Sequence, residues 1–135
     1  MDRIISLLAA LVGLIALGGA SIVHTNSDTQ QQQVAATPTD ALAQAGAKYF
    51  ATSACIGCHA INGVTTTDQS KLIGPNLTHF GGRQWIAGGV VSNTPANLAA
   101  WLRNPQAVKD GADMPNLNLT QDQINELVAY LESLQ

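Results

Sequence analysis

The chain has two cysteines, three positions apart, with a histidine directly after the second: Cys55-Ile56-Gly57-Cys58-His59. No other feature restricts the fold as much. Two thiols at this spacing on a tight turn can each add to one vinyl group of a haem, and the adjoining imidazole is then placed over the iron. Gly57 lets the backbone approach the ring closely. Three other uses of the same residues compete. A thioredoxin-like dithiol expects a βαβ context, but the residues before Cys55 carry helix signals. A zinc site needs four ligands; this run would supply three, and His79 would have to be the fourth. A structural disulfide would be strained at this spacing and would leave His59 without a role. The expectation is one c-type haem, held covalently through Cys55 and Cys58, with His59 bound to iron.

With 135 residues the chain holds one folded domain at most. Only 11% of it is charged, against about 25% in an ordinary globular protein. Part of that deficit lies at the start, where Asp2 and Arg3 are the only charges in the first 23 residues. Ile4 to Val23 is an uncharged, apolar run, and a helix of that length spans about 30 Å, the hydrocarbon thickness of a bilayer. A cleaved signal would have a shorter apolar region and a small-residue site, for which Gly18-Gly19-Ala20 is the candidate. The longer run favours an uncleaved transmembrane anchor over residues 1–23. Arg3 before it, with His24, Asn26 and Asp28 after it, favours a single-pass arrangement with the body on the extracytoplasmic side of the cell membrane. Residues 24–38, with Gln30 to Gln33 and few large apolar side chains, read as a flexible polar tether. Such a tether has a root-mean-square span of about 20 Å.

Residues 39–135 form the head, expected to be all-α. Asp40 can cap a helix over about 41–52. Thr94-Pro95 reads as a cap followed by proline at the first helical position, with Leu98, Trp101 and Leu102 on one stripe. Thr120 and Gln123 fit a capping box ahead of Ile124, Leu127, Val128, Leu131 and Leu134. Between them, 60–82, 87–93 and 104–119 read as long loops. Loops of that length need something to hold them, and a head this small with six aromatic residues needs help with its core. A large flat apolar cofactor answers both needs.

Of the two methionines, Met1 lies beyond the anchor. Met114, in Asp113-Met114-Pro115-Asn116, sits in a loop with no core-like context and is the candidate sixth ligand; His79 is its rival, and core filling is the plain alternative. Arg83, Trp85 and Trp101 are candidate partners for the haem propionates, although Trp101 lies on an apolar stripe and packing alone would explain it. Net charge is −3 with no Lys/Arg cluster, which argues against nucleic acid as a partner. The head carries Lys48, Lys71, Arg83, Arg103 and Lys109 against seven acids. Docking through a ring of lysines is therefore not expected; an apolar contact patch with weak steering fits better, with Ile56, Val64 and Ile86 as members or as core.

Residues 42–134 resemble a class I, monohaem, His/Met cytochrome c. Gly46, Phe50 and Tyr130 match the small and aromatic residues at which the first and last helices of that family cross. Gly74-Pro75-Asn76-Leu77 matches the family's G-P-x-L segment. The resemblance implies the class I fold and a Pro75 carbonyl that accepts a hydrogen bond from His59. The stretches Gly74 to Arg83, Asn93 to Leu98 and Trp101 to Pro105 are similar to the cytochrome c domain fused to subunit II of haem–copper oxidases, without that subunit's copper ligands. Monohaem subunits of alternative complex III are also similar. The implied function is one-electron transfer, not enzyme catalysis by the chain alone, with redox proteins or subunits of a respiratory or photosynthetic complex as partners. The competing readings are a haem-based sensor or peroxidase-like enzyme with a labile sixth ligand, and a subunit whose haem only staples the fold.

Overall fold

The computed structural model describes residues 40–135. The expected anchor and tether lie outside the described residues, and among those described no helix is long and apolar enough to cross a membrane. The head is built from helices. Helix α1 spans Ala41–Thr52 and starts where Asp40 accepts from the backbone N–H groups of Leu42 (2.9 Å) and Ala43 (3.1 Å). These bonds satisfy donors that a helix start otherwise leaves open. The helix buries Ala43, Gly46 and Phe50, one face at helical spacing. The last helix is α4, Gln121–Ser133. Its capping box is complete: Gln123 N–H donates to Thr120 Oγ1 at 3.3 Å, and Thr120 N–H donates to Gln123 Oε1 at 2.9 Å.

Helices α1 and α4 pack closely because Gly46 has no side chain. A Cβ there would overlap the Glu126 carbonyl and stand 2.8 Å from Tyr130 Cβ. Beside this crossing the Phe50 and Tyr130 rings meet at 6.0 Å and 60°, a tilted arrangement that aromatic quadrupoles favour. Helix α2, Pro95–Arg103, is capped by Thr94 Oγ1 on Asn97 N–H (3.2 Å), and lays buried Leu98 and Leu102 toward the core. Loop residues complete that core: Ile61, Leu77 and Phe80 are as buried as the helical positions. Thr78 is buried too, with its polar atoms satisfied by Asn76 Oδ1 and the Asn62 backbone N–H.

The structure departs from expectation in the segments read as loops. Pro105–Val108 forms a single turn of helix, α3, inside 104–119. Pro105 stands at its first turn, where a missing N–H costs nothing, and is itself buried. Gln69–Lys71 is a 3₁₀ turn inside 60–82. Trp85–Ile86 (β1) and Val91–Ser92 (β2) pair antiparallel, Trp85 with Ser92 and Ile86 with Val91. The turn between them runs through Ala87, Gly88 and Gly89, all with positive φ; the Gly-Gly pair is the residue type such a turn favours.

Near the end of α4, Glu132 Oε1 is buried without a hydrogen-bond partner, and burial pushes the carboxyl's pKa up. The folded state thus holds the Glu132 proton more tightly than the unfolded chain does. Stability falls as pH rises from the ordinary glutamate value through the raised one. Glu132→Gln should therefore raise the melting temperature near neutral pH, with the gain vanishing in acid, where the carboxyl is protonated in both states. Thermal melts of both proteins across pH check this; an equal gain at all pH values would refute it.

Candidate functional site

The cysteine motif is shaped by local hydrogen bonding. Ser53 ends α1 and opens a 3₁₀ turn over Ala54–Gly57. The Cys55 carbonyl then accepts from both Cys58 N–H (3.1 Å) and His59 N–H (2.9 Å). This tight turn brings Cys55, Cys58 and His59 to the wall of one cavity. Both thiols are free, so the two are not paired as a structural disulfide. The helix before them agrees with the expectation that argued against a thioredoxin-like dithiol. No protein atom lies within 4 Å of where a Gly57 Cβ would stand, so packing against the protein does not require glycine there.

His59 is clamped from two directions. Its Nδ1 lies 2.9 Å from the Pro75 carbonyl. A carbonyl only accepts, so Nδ1 carries the proton and Nε2 keeps its lone pair. Gly74 sits against the ring: a Cβ there would lie 2.6 Å from His59 Cε1 and Nδ1. The Gly74 N–H also donates to the Cys58 carbonyl at 2.8 Å, tying the G-P-x-L segment to the motif. Burial lowers the His59 pKa; the bond to Pro75 opposes this, and the Arg83 charge adds to the lowering. The ring is therefore neutral near pH 7, the form that donates a lone pair.

The cavity measures about 390 Å³, within the usual range for small-molecule and cofactor sites of about 300–1,000 Å³. Phe50 from α1, Leu98 from α2, Leu127 from α4, and the loop residues Leu77 and Phe80 give it apolar walls. Cys55, Cys58, His59, Pro75, Arg83, Trp101 and Met114, all singled out from the sequence, line it together. Met114 reaches it from the loop before α4 and also packs against the core. Arg83 donates to the Asn76 carbonyl and lies over the Phe80 ring, 5.4 Å from its centroid. Neither partner is anionic, and burial lowers the guanidinium's pKa. Trp101 is half-buried, both packed on the core and facing the cavity, so the two readings of it meet in one position. Trp85 stands at the cavity wall with 58% of its surface exposed.

Other candidates are placed elsewhere. His79 Nδ1 is 2.7 Å from the Gln135 carbonyl, and the residue is not part of the cavity wall. Among the described residues no three or more His, Cys, Asp or Glu side chains converge as a metal cluster, so the zinc reading has no fourth ligand. Ile86 is core at 5% exposure, while Ile56 and Val64 are both 36% exposed. Sequence reasoning missed Gln106, whose side chain donates to the Met114 and Ala112 carbonyls. It also missed Lys109 and Asp113 at the wall. No periodic or motif signal marks any of the three.

Two thiols, a neutral imidazole and a thioether on one largely apolar cavity form a donor set that fits a haem. Comparison with known proteins agrees. The cytochrome c family model matches residues 43–135. The chain is similar to cytochrome c oxidase subunit 2 of Alkalihalophilus pseudofirmus (strain OF4), with 41% identity over 99 residues, 73% of this chain and 27% of that protein. It is 40% identical over 99 residues to the same subunit of Bacillus sp. (strain PS3), covering 72% of this chain and 27% of the relative. The Bacillus subtilis (strain 168) subunit is 32% identical over 96 residues, again 27% of its length. The chain thus spans about a quarter of the length of the curated relatives it matches. The match runs through the capped helices, the Gly46 crossing and the cysteine motif, and the chain belongs to the cytochrome c family.

Proposed function

We propose that residues 39–135 carry single electrons through one haem c bound in this cavity. The reading rests on one observation: Cys55, Cys58, His59 and Met114 share a single, largely apolar cavity. In this reading Cys55 and Cys58 would form the two thioether links, and His59 Nε2 and Met114 Sδ would hold the iron. Pro75 holds the His59 ring in register through its carbonyl. Arg83 and Trp101 offer an N–H fork and an indole N–H to the cofactor's carboxylates. When bound, the haem iron would supply a reversible one-electron couple, and with His59 and Met114 both engaged no position would be open for substrate. The apolar walls exclude water and favour the less charged, reduced state, as thioether ligation does.

Residues 1–23 would anchor this head in the cell membrane, and 24–38 would tether it on the extracytoplasmic side. The kinship with oxidase subunits supports a partner within a respiratory complex, either a haem–copper terminal oxidase or a quinol-oxidising complex. The head's slight excess of acids favours docking that depends little on salt.

Purified full-length protein tests the reading. Haem should stay with the chain through denaturing electrophoresis, one per polypeptide. It should titrate as a single one-electron couple, and the reduced protein should not take up carbon monoxide. Ready carbon monoxide binding would instead identify a sensor or an enzyme with a labile ligand. Gentle solubilisation should recover the chain with a respiratory complex.

A further inference from the structure

We infer that Gln106 is a positioning residue that latches Met114 onto the cavity. The inference rests on the proposed axial role of Met114. Helix α3 is short but firmly seated: Pro105 is fully buried, and Lys109 N–H returns to the Pro105 carbonyl at 2.9 Å. From this turn the Gln106 carboxamide reaches across to the Met114 loop. Its Nε2 donates to the Met114 carbonyl at 2.7 Å and to the Ala112 carbonyl at 3.3 Å. A carboxamide nitrogen has two hydrogens, so one side chain serves both carbonyls.

The loop has few other means of holding its shape. Gly111 has φ +70°, a conformation that glycine adopts at no steric cost. Pro115, next to Met114, has no N–H to donate. Further on, Asn118 N–H bonds only locally, to Asn116 Oδ1 at 2.9 Å. Ala112 N–H also returns to the Lys109 carbonyl at 3.2 Å, at the end of α3, whereas the bond that ties the Met114 carbonyl to α3 comes from Gln106. Met114 Sδ is carried on the same residue whose carbonyl is held, so releasing that carbonyl releases the thioether's position with it. If the glutamine merely added stability, its loss would lower the unfolding midpoint and leave the thioether's exchange unchanged. A latch would instead set how often the thioether leaves, which external ligands report.

The test uses full-length holoprotein with imidazole as the probe. In the ferric state imidazole competes with the thioether, and its apparent affinity scales with the fraction of molecules whose loop is open. Gln106→Leu removes both donors. It should keep the covalent haem and the fold, and bind imidazole on the order of tenfold more tightly, the factor that two exposed hydrogen bonds can contribute. The methionine–iron charge-transfer band should be lost at correspondingly lower imidazole concentrations. Gln106→Lys keeps a donor at similar reach and should return most of the way to the parent. The latch is refuted if Gln106→Leu matches the parent in imidazole affinity while Met114→Ala abolishes the band. It is equally refuted if Gln106→Lys is as permissive as Gln106→Leu. If Met114→Ala leaves the band intact, the axial assignment itself fails, and the latch falls with it.

Discussion

Replacing Cys55 and Cys58 together by serine should leave a head with no attached haem and no stable fold. The reason lies in where the cavity is. Phe50, Leu77, Phe80, Leu98, Leu102, Leu127 and Leu131 belong both to the cavity wall and to the core cluster. The core of this small head and the walls of the proposed cofactor site are therefore largely the same side chains. Leaving about 390 Å³ unfilled would cost at most about 9 kcal/mol at roughly 24 cal/mol per Å³. Collapse and water entry reduce that figure, but the whole stability of a domain is only about 5–15 kcal/mol. Serine is nearly isosteric with cysteine, so the substitutions do not themselves disturb packing; the loss comes from the missing covalent links. Each single variant keeps one link and should show a partly retained, more easily released haem. The measurements are haem staining after denaturing electrophoresis and far-ultraviolet circular dichroism. A double variant that melts cooperatively with full helicity and without haem would show that the core stands by itself.

Much of the scaffold was legible because it is written in short-range chemistry. Asp40, Thr94-Pro95 and the Thr120/Gln123 pair mark helix starts by the hydrogen bonds their side chains make, and each lies at the start expected. The Gly46 crossing and the Pro75–His59 bond were legible only through family likeness, since nothing local says what a glycine or a carbonyl will face. The rest depends on tertiary contacts. Helix α3 has no side-chain cap bond and a single turn, so its existence rests on the burial of Pro105. The β1–β2 ribbon is two residues per strand, too short for alternation to show. Ile86 and Ile56 look alike in sequence, yet one is core and the other is surface. Gln106 is a polar residue in a polar segment. Its role comes only from the loop folding back to within 2.7 Å of it.

Met114→Ala should keep the haem attached and the head folded but change its redox character. Met114 is only partly buried and sits at the edge of the core, so shortening it costs little packing compared with a helix position such as Leu98. In the proposed arrangement the thioether, by contrast, would be the soft ligand that favours reduced iron. Its loss should lower the potential by on the order of 0.1 V, a fraction of the roughly 0.8 V that axial ligands command. No other imidazole is poised to replace it: among the described residues His59 is held by Gly74 and Pro75, and His79 points to the Gln135 carbonyl away from the cavity. The position should therefore fall to water, and the reduced protein should bind carbon monoxide, which the parent should not take up. His59 keeps its contacts with Pro75 and Gly74 in the variant, so the change should be confined to what Met114 would have held. Redox titration and carbon monoxide difference spectra read the two effects separately. A variant that keeps the parent's potential and its inertness to carbon monoxide would mean that the second axial ligand is some other residue, and that Met114 serves only to pack against the core.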